Sequence, residues 1–435
     1  MKNTNQRAIW FPVLAALFLA VYFLGARRFI GLAAASQIEL IALLCLLVAF
    51  AGGLLIVLFT LVKRFFFRNR RHEGIKAGGS MLFFLAVLVI LVIFIAASQL
   101  AAHTPPILGE DGKPLPGSIA RMEKVRLGGV DQWLIIRGHD VHKPVLLFLS
   151  GGPGASEAAR VLRFNQELEK HFVVVIWEQR GCGKSYPARA DLTVERYTAD
   201  VIELSEMLRT RFDEQKVYLV GHSWGTIIGV LASQARPDLF HAYVGASQMV
   251  DVLETDRLIY DLVLEHARST GDTAFIQAMQ KQGPPPYTGR SPIQPYSALF
   301  GREYAVFEVP NIKNEEYRRD GDILLLMLKQ PEYGWLDRVY YLLGLMNTFN
   351  VVYPQLQEMD FRQDAARLNL PVYLVHGHHD MNNPSQIPEE YFQQLEAPLK
   401  RFFFFEDSGH GEMWEEAGRF HDIMVNTVLA ETYQP

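Results

Sequence analysis

The sequence predicts an α/β protein: a mainly parallel sheet flanked by helices, carrying a helical cap insertion and preceded by three transmembrane helices. Three observations predict it. The first 102 residues hold three long apolar runs, and the rest alternates short β-branched stretches with helical patterns. Between Met249 and Pro371, 121 residues contain no strong strand signal.

Charge divides the chain at the same place. Of the 435 residues, the first 102 carry ten Lys/Arg against two acids, and the remainder carries 32 basic against 45 acidic residues. An acidic second part argues against nucleic-acid binding, which needs a positive footprint. A chain that is 49% hydrophobic and 20% charged is not globally disordered. Cys45 lies in an apolar run and Cys182 in a polar loop, so no disulfide is expected. No clustered Cys/His set suggests zinc.

The apolar runs cover about residues 8–26, 40–62 and 81–102. Each is near the ~20 residues that a helix needs to cross a ~30 Å hydrocarbon layer. A cleaved leader ending near Ala33-Ala34-Ala35 is disfavoured, because Arg27 and Arg28 intervene. Gly52 and Gly53 offer a close-packing face in the second run. Basic residues concentrate in Lys63–Lys76, with Lys2 and Arg7 on the same side. That side is expected in the cytoplasm, so three crossings put the chain after ~103 outside it. The expectation is an integral membrane protein with its globular domain extracytoplasmic. Residues 103–117, with four prolines and three glycines, read as an extended linker to a domain spanning 118–435.

Within that domain, strands are expected at Gln132–Arg137, Val145–Leu149, Phe172–Trp177, Val217–Val220, Ala242–Ala246, Val372–Val375 and Arg401–Phe405. Helices are expected at Ala155–Lys170, at Thr193–Phe212 behind a Thr193 cap, and at Thr226–Ala235. Continuous apolar strands between helices imply a parallel sheet covered on both faces. The insertion, about 251–360, reads as a helical cap.

Gly221-His222-Ser223-Trp224-Gly225 follows a strand and opens a helix, the setting of a nucleophile elbow. A serine hydroxyl needs a base, and the base an orienting carboxylate. Asp380 and His410 each follow a later strand, in the order Ser, Asp, His. The ends of parallel strands are where such sheets place their chemistry. Ser150-Gly151-Gly152-Pro153-Gly154 follows Val145–Leu149, so the oxyanion donors are expected to be the amides of Gly152 and Trp224, with Gly151 the fallback. His376, His378 and His379 lack the second carboxylate cluster of a metal site, so no metal or other cofactor is called for.

Ser-Gly-Gly-Pro-Gly, then Trp177-Glu178-Gln179-Arg180-Gly181-Cys182-Gly183-Lys184-Ser185, then Gly-His-Ser-Trp-Gly resemble the prolyl iminopeptidase branch of the α/β-hydrolase superfamily. The resemblance runs from about Val125 to the C-terminus. It implies an α/β-hydrolase fold, a cap between the sixth and seventh strands, and a triad of Ser223, Asp380 and His410. Such aminopeptidases hold a substrate's free amine on acidic cap residues, for which Glu303 and Glu308 are the nearest candidates here. Ser150 stands where the family has His, and Glu178 where it has Asp; both departures bear on proline specificity.

The expected function is a membrane-anchored serine hydrolase that cleaves small peptides or amides. Its partners would be a small-molecule or short peptide substrate and the lipid bilayer. A carboxylesterase or lipase acting at the membrane surface, and a catalytically silent sensor on the same fold, are the competing readings.

Overall fold

The structure is a computed structural model that describes residues 14–433 apart from 16, 20, 24, 29–31 and 67–72. The chain divides into two compact units. One is Met1–His103 with Met327–Arg338, and the other is Thr104–Leu326 with Val339–Pro435.

The larger unit is built on one eight-stranded sheet in the order β1-β2-β4-β3-β5-β6-β7-β8. The strands are β1 Ile119–Leu127, β2 Val130–Gly138, β3 Val145–Leu149, β4 Val173–Glu178, β5 Val217–His222, β6 Phe240–Ala246, β7 Val372–Gly377 and β8 Lys400–Phe405. From β4 to β8 every neighbouring pair is parallel, and β1 and β2 close one edge antiparallel. Every residue of β3, β4, β5 and β7 is buried. This is why those segments read as unbroken apolar runs, since helices cover both faces.

β1 is absent from the strands expected on sequence grounds. It is a charged edge strand, Ile-Ala-Arg-Met-Glu-Lys-Val-Arg-Leu, and only Leu127 in it is buried. The Gly128-Gly129 turn, with φ of 54° and 77°, joins it to β2 and is the hairpin signal that marks it. The segment 103–117, read as an extended linker, is tied down instead. Gly109 N donates to Lys113 O at 2.8 Å and Leu115 N to Ile107 O at 2.9 Å. Arg137 of β2 donates to Thr104 Oγ1 and Pro105 O at 2.9 and 2.6 Å.

The helix Val194–Phe212 starts where Thr193 Oγ1 accepts from Arg196 N. It supplies Asp200, fully buried against Arg180 Nε at 2.7 Å. The helix expected at Ala155–Lys170 is shorter, Ala158–Phe164, followed by a 3₁₀ turn at Gln166–Lys170. Cys45 and Cys182 are both free.

Between β6 and β7 the chain is helical, including Val252–Thr270, Thr273–Gln282, Ile293–Glu303 and Trp335–Val352. A bridge between Asp251 and Asp360 brings the ends of this insertion together. Arg362 fastens that base, reaching Asp251 at 3.1 Å, Asp360 at 2.9 Å and Glu254 at 2.5 Å.

In the smaller unit, Leu32–Phe66 and Glu73–Ala101 form two long helices. Their windows Ala34–Lys63 and Ser80–Ala101 are long and apolar enough to cross a membrane. Two such helices, not three, are found among the described residues. Of the first expected span, 8–26, nine of the 19 positions lie outside the described residues, as does much of the basic loop used to orient the chain. Of the two glycines in the first helix, Gly53 lies against Phe83 and Phe84 with 3.6 Å for a Cβ, whereas Gly52 faces open space.

This unit also contains part of the insertion, which a boundary at residue 102 does not foresee. Glu39 is 1% exposed. It accepts from Arg27 Nε at 2.7 Å and from the Trp335 indole at 3.0 Å. Ser98 Oγ accepts from Trp335 N, and Gln99 Nε2 donates to Asp337, both at 3.0 Å. A buried carboxylate stays stable only while such donors satisfy it. Replacing Trp335 by Phe keeps the ring but removes one donor from Glu39. It should lower stability by about 1–3 kcal/mol, read as a lower thermal midpoint of the full chain in detergent.

Candidate active site

β5 ends at His222, and the next residue, Ser223, adopts φ 51° and ψ −122° before the helix Trp224–Ala235 begins. A non-glycine residue there is strained. The strain is held by packing: Ser223 N donates to Ala246 O at 3.0 Å, and a Cβ on Gly225 would collide with the Leu149 carbonyl. The turn leaves Ser223 half-buried on the wall of a cavity of about 560 Å³. His410 and Gly152 line the same cavity. Its apolar wall comes from Ile293, Phe300, Leu345 and Phe349 of the insertion.

Asp380, 1% exposed, follows β7. His410 follows β8 and sets Nδ1 3.1 and 3.0 Å from the two Asp380 oxygens. Asn383 N also donates to Asp380 Oδ1 at 2.8 Å. The Ser223 hydroxyl makes its contact with Met249 Sδ at 4.0 Å. Burial disfavours the His410 cation, but the Asp380 charge and hydrogen bond, with Glu308 and Glu412, outweigh it and push its pKa up to about 10.

The glycine loop after β3 is held at several points. Gly151 N donates to Glu157 Oε2 at 2.8 Å. That amide is therefore engaged by a buried carboxylate. Gly152 remains on the cavity wall with φ 124°. Gln179 explains the middle motif: its Nε2 donates to Ser150 O at 3.1 Å and its Oε1 accepts from the Trp224 indole at 2.9 Å. One side chain thus ties the glycine loop to the elbow helix. Glu178 accepts from Ser156 Oγ and from Lys184 N. The helix Trp335–Val352 rests on both loops: Thr348 Oγ1 donates to Gly181 O at 2.7 Å. A Cβ on Gly344 would come within 2.8 Å of that oxygen and 2.9 Å of Gly154 O.

Glu303 and Glu308 are 0% and 1% exposed, so neither is a solvated surface glutamate. Glu308 Oε2 accepts from His410 N at 2.9 Å, and Glu308 lines the cavity. Burial, then the charge of Asp380, raises Glu308 to about 7. Burial, then the charges of Glu308 and Asp380, raises Glu303 to about 11. Of the other histidines near Asp380, His376 is buried, His379 half-buried and His378 exposed.

Sequence reasoning missed Glu157 and His222. His222 Nδ1 lies 2.8 Å from Glu157 Oε1, and Nε2 lies 2.7 Å from His410 O. The imidazole therefore links the segment after the glycine loop to the His410 loop. Burial opposes ionisation of Glu157, but His222, then the Gly151 amide and Arg160, hold its carboxyl below the usual range. The only available signal is His222 inside the elbow motif. His222→Ala would remove one hydrogen-bond partner from a buried carboxylate, so unfolding stability should fall by about 1–3 kcal/mol, measurable by chemical denaturation.

The comparisons with known proteins agree with this architecture. The model of the alpha/beta hydrolase fold matches residues 144–283. A probable aminopeptidase of Bacillus subtilis (strain 168) is 34% identical over 314 residues, spanning 72% of this chain and 97% of its own. A proline iminopeptidase of Saccharolobus solfataricus is 22% identical over 296 residues, 64% of this chain and 83% of its own. Among solved structures, a proline iminopeptidase-related protein of Thermus thermophilus superposes with a TM-score of 0.50 at 20% identity. That match covers 72% of this chain and 98% of the solved one. With its sheet order, its elbow between β5 and a helix, and a relative matched almost end to end, this chain belongs to the α/β-hydrolase family.

Proposed function

We propose that the protein is a membrane-anchored serine hydrolase that releases N-terminal residues from short peptides or amides. The observation that carries this reading is one cavity lined by the strained Ser223, the Asp380-paired His410 and the buried carboxylate of Glu308. The anchor would be the two long apolar helices, with the domain after residue 103 outside the cytoplasm.

In this reading His410 Nε2 takes the Ser223 proton as Oγ attacks the substrate carbonyl. Asp380 orients the ring through Nδ1 and stabilises the imidazolium that forms. The Gly152 and Trp224 amides receive the developing oxyanion. His410 then protonates the leaving amine, and water repeats the sequence to free the acyl-enzyme. Glu308, backed by Glu303, holds the substrate ammonium. Burying a carboxylate beside the reacting carbonyl is costly unless a cation joins it, which gives the pair a physical reason to select free amines. The relatives named as aminopeptidase and proline iminopeptidase support the same class. The apolar cavity wall favours a second reading, hydrolysis of acyl esters.

Ser223→Ala should lower kcat by several orders of magnitude and abolish labelling by a fluorophosphonate probe. Failure of the wild-type protein to label at all would instead favour the silent sensor. Aminoacyl-naphthylamides compared with p-nitrophenyl acyl esters separate the two enzyme readings.

Glu308→Gln keeps an acceptor for His410 N but loses the charge. It should raise KM for free-amine substrates by roughly tenfold, the scale of one charge-assisted hydrogen bond. It should also move the pH profile. His410 must be neutral to accept the proton, so kcat/KM on a neutral ester rises with pH toward its raised pKa. Removing a nearby negative charge lowers that pKa, so the rise should begin at lower pH in the variant.

A further inference from the structure

We propose that Arg160 binds the terminal carboxylate of a short peptide, so that the cavity accepts peptides with both ends free. The inference rests on the aminopeptidase reading and adds the group that would recognise the other end of the substrate.

Arg160 lies on the helix Ala158–Phe164, directly after the glycine loop, and lines the cavity that holds Ser223, His410 and Glu308. Its guanidinium carbon is 5.4 Å from the centre of the Trp414 ring. A guanidinium held against an aromatic face keeps a planar fork of N–H donors that suits a planar acceptor. Its Nε is buried and makes no hydrogen bond. None of the ion pairs found among the described residues includes it.

Each nearby carboxylate has at least one oxygen held by another donor. Glu157 is used on both oxygens, by His222 and by Gly151 N. Glu415 Oε2 accepts from Gly409 N at 2.7 Å, and Glu308 Oε2 from His410 N. A permanently charged fork on the wall of a polar-tipped cavity, without a bidentate partner, matches a carboxylate better than any neutral group. The acidic residues near His410 would repel that same carboxylate. A peptide with a positive and a negative end therefore has one preferred direction across Ser223. A cavity of about 560 Å³ is in the range of small-ligand sites, which limits the substrate to a few residues.

The experiment uses the full chain in detergent and three substrates with the same N-terminal residue: a dipeptide with a free carboxylate, its C-terminal amide, and the aminoacyl-naphthylamide. The wild-type enzyme should prefer the free acid to the amide by about tenfold in kcat/KM, chiefly through KM. Arg160→Gln should bring that ratio close to one, and Arg160→Lys should restore part of it. Cleavage of the naphthylamide without any preference for the acid would overturn the Arg160 subsite and leave the aminopeptidase reading standing. Equal losses on acid and amide in Arg160→Gln, with a lowered thermal midpoint, would show that Arg160 only supports Trp414 and would also overturn it. Absence of cleavage of all three substrates would bring down both readings.

Discussion

The turn at Ser223 is the constraint on which the rest of the larger unit depends. A serine at φ 51° is held only because the backbone on either side can approach its neighbours closely. Gly225 lies under the Leu149 carbonyl, and Ser223 N reaches across to Ala246. β3, β5 and β6 must therefore be adjacent and in register before the hydroxyl can face the cavity. Burial of β3 and β5 on both faces supplies that rigidity, and the buried Arg180–Asp200 pair fixes the neighbouring turn. The strain is local, whereas its support comes from three strands and a helix.

Around that turn, the polar groups form one connected frame. Gln179 joins the glycine loop to the elbow helix, and His222 with Glu157 joins that loop to the His410 loop. Three segments far apart in sequence are thus spaced by side-chain hydrogen bonds whose donors and acceptors are buried. Such a frame tolerates little change, because each missing partner leaves an unpaired buried group. It explains why the three motifs occur together as a set.

Much of this was legible in the sequence. Ser223, Asp380 and His410 each follow an apolar strand, and the position of a residue just past a strand end is a local property. The insertion was legible because strand periodicity disappears between β6 and β7. The edge strand β1 was not, because its charges obey exposure rather than burial. The Glu157–His222 link was not, because the pairing spans 65 residues and depends on the fold. The burial of Glu303 and Glu308 was hidden for the same reason. Glu303, between Arg302 and Tyr304, looks solvated until the helix carrying it closes over a cavity.

The segment Met327–Arg338 belongs to the unit of the long apolar helices, yet it is a continuous part of the insertion in sequence. Trp335 and Asp337 open the same helix that carries Gly344, Thr348 and Phe349. The hydrophobic N-terminal region therefore supplies the partners of the residues that open that helix. A chain cut at residue 103 would begin that helix with an indole and a carboxylate stripped of Glu39, Ser98 and Gln99. A change at any of those three positions has to be matched within the insertion, and the two parts are expected to change together as homologous chains diverge.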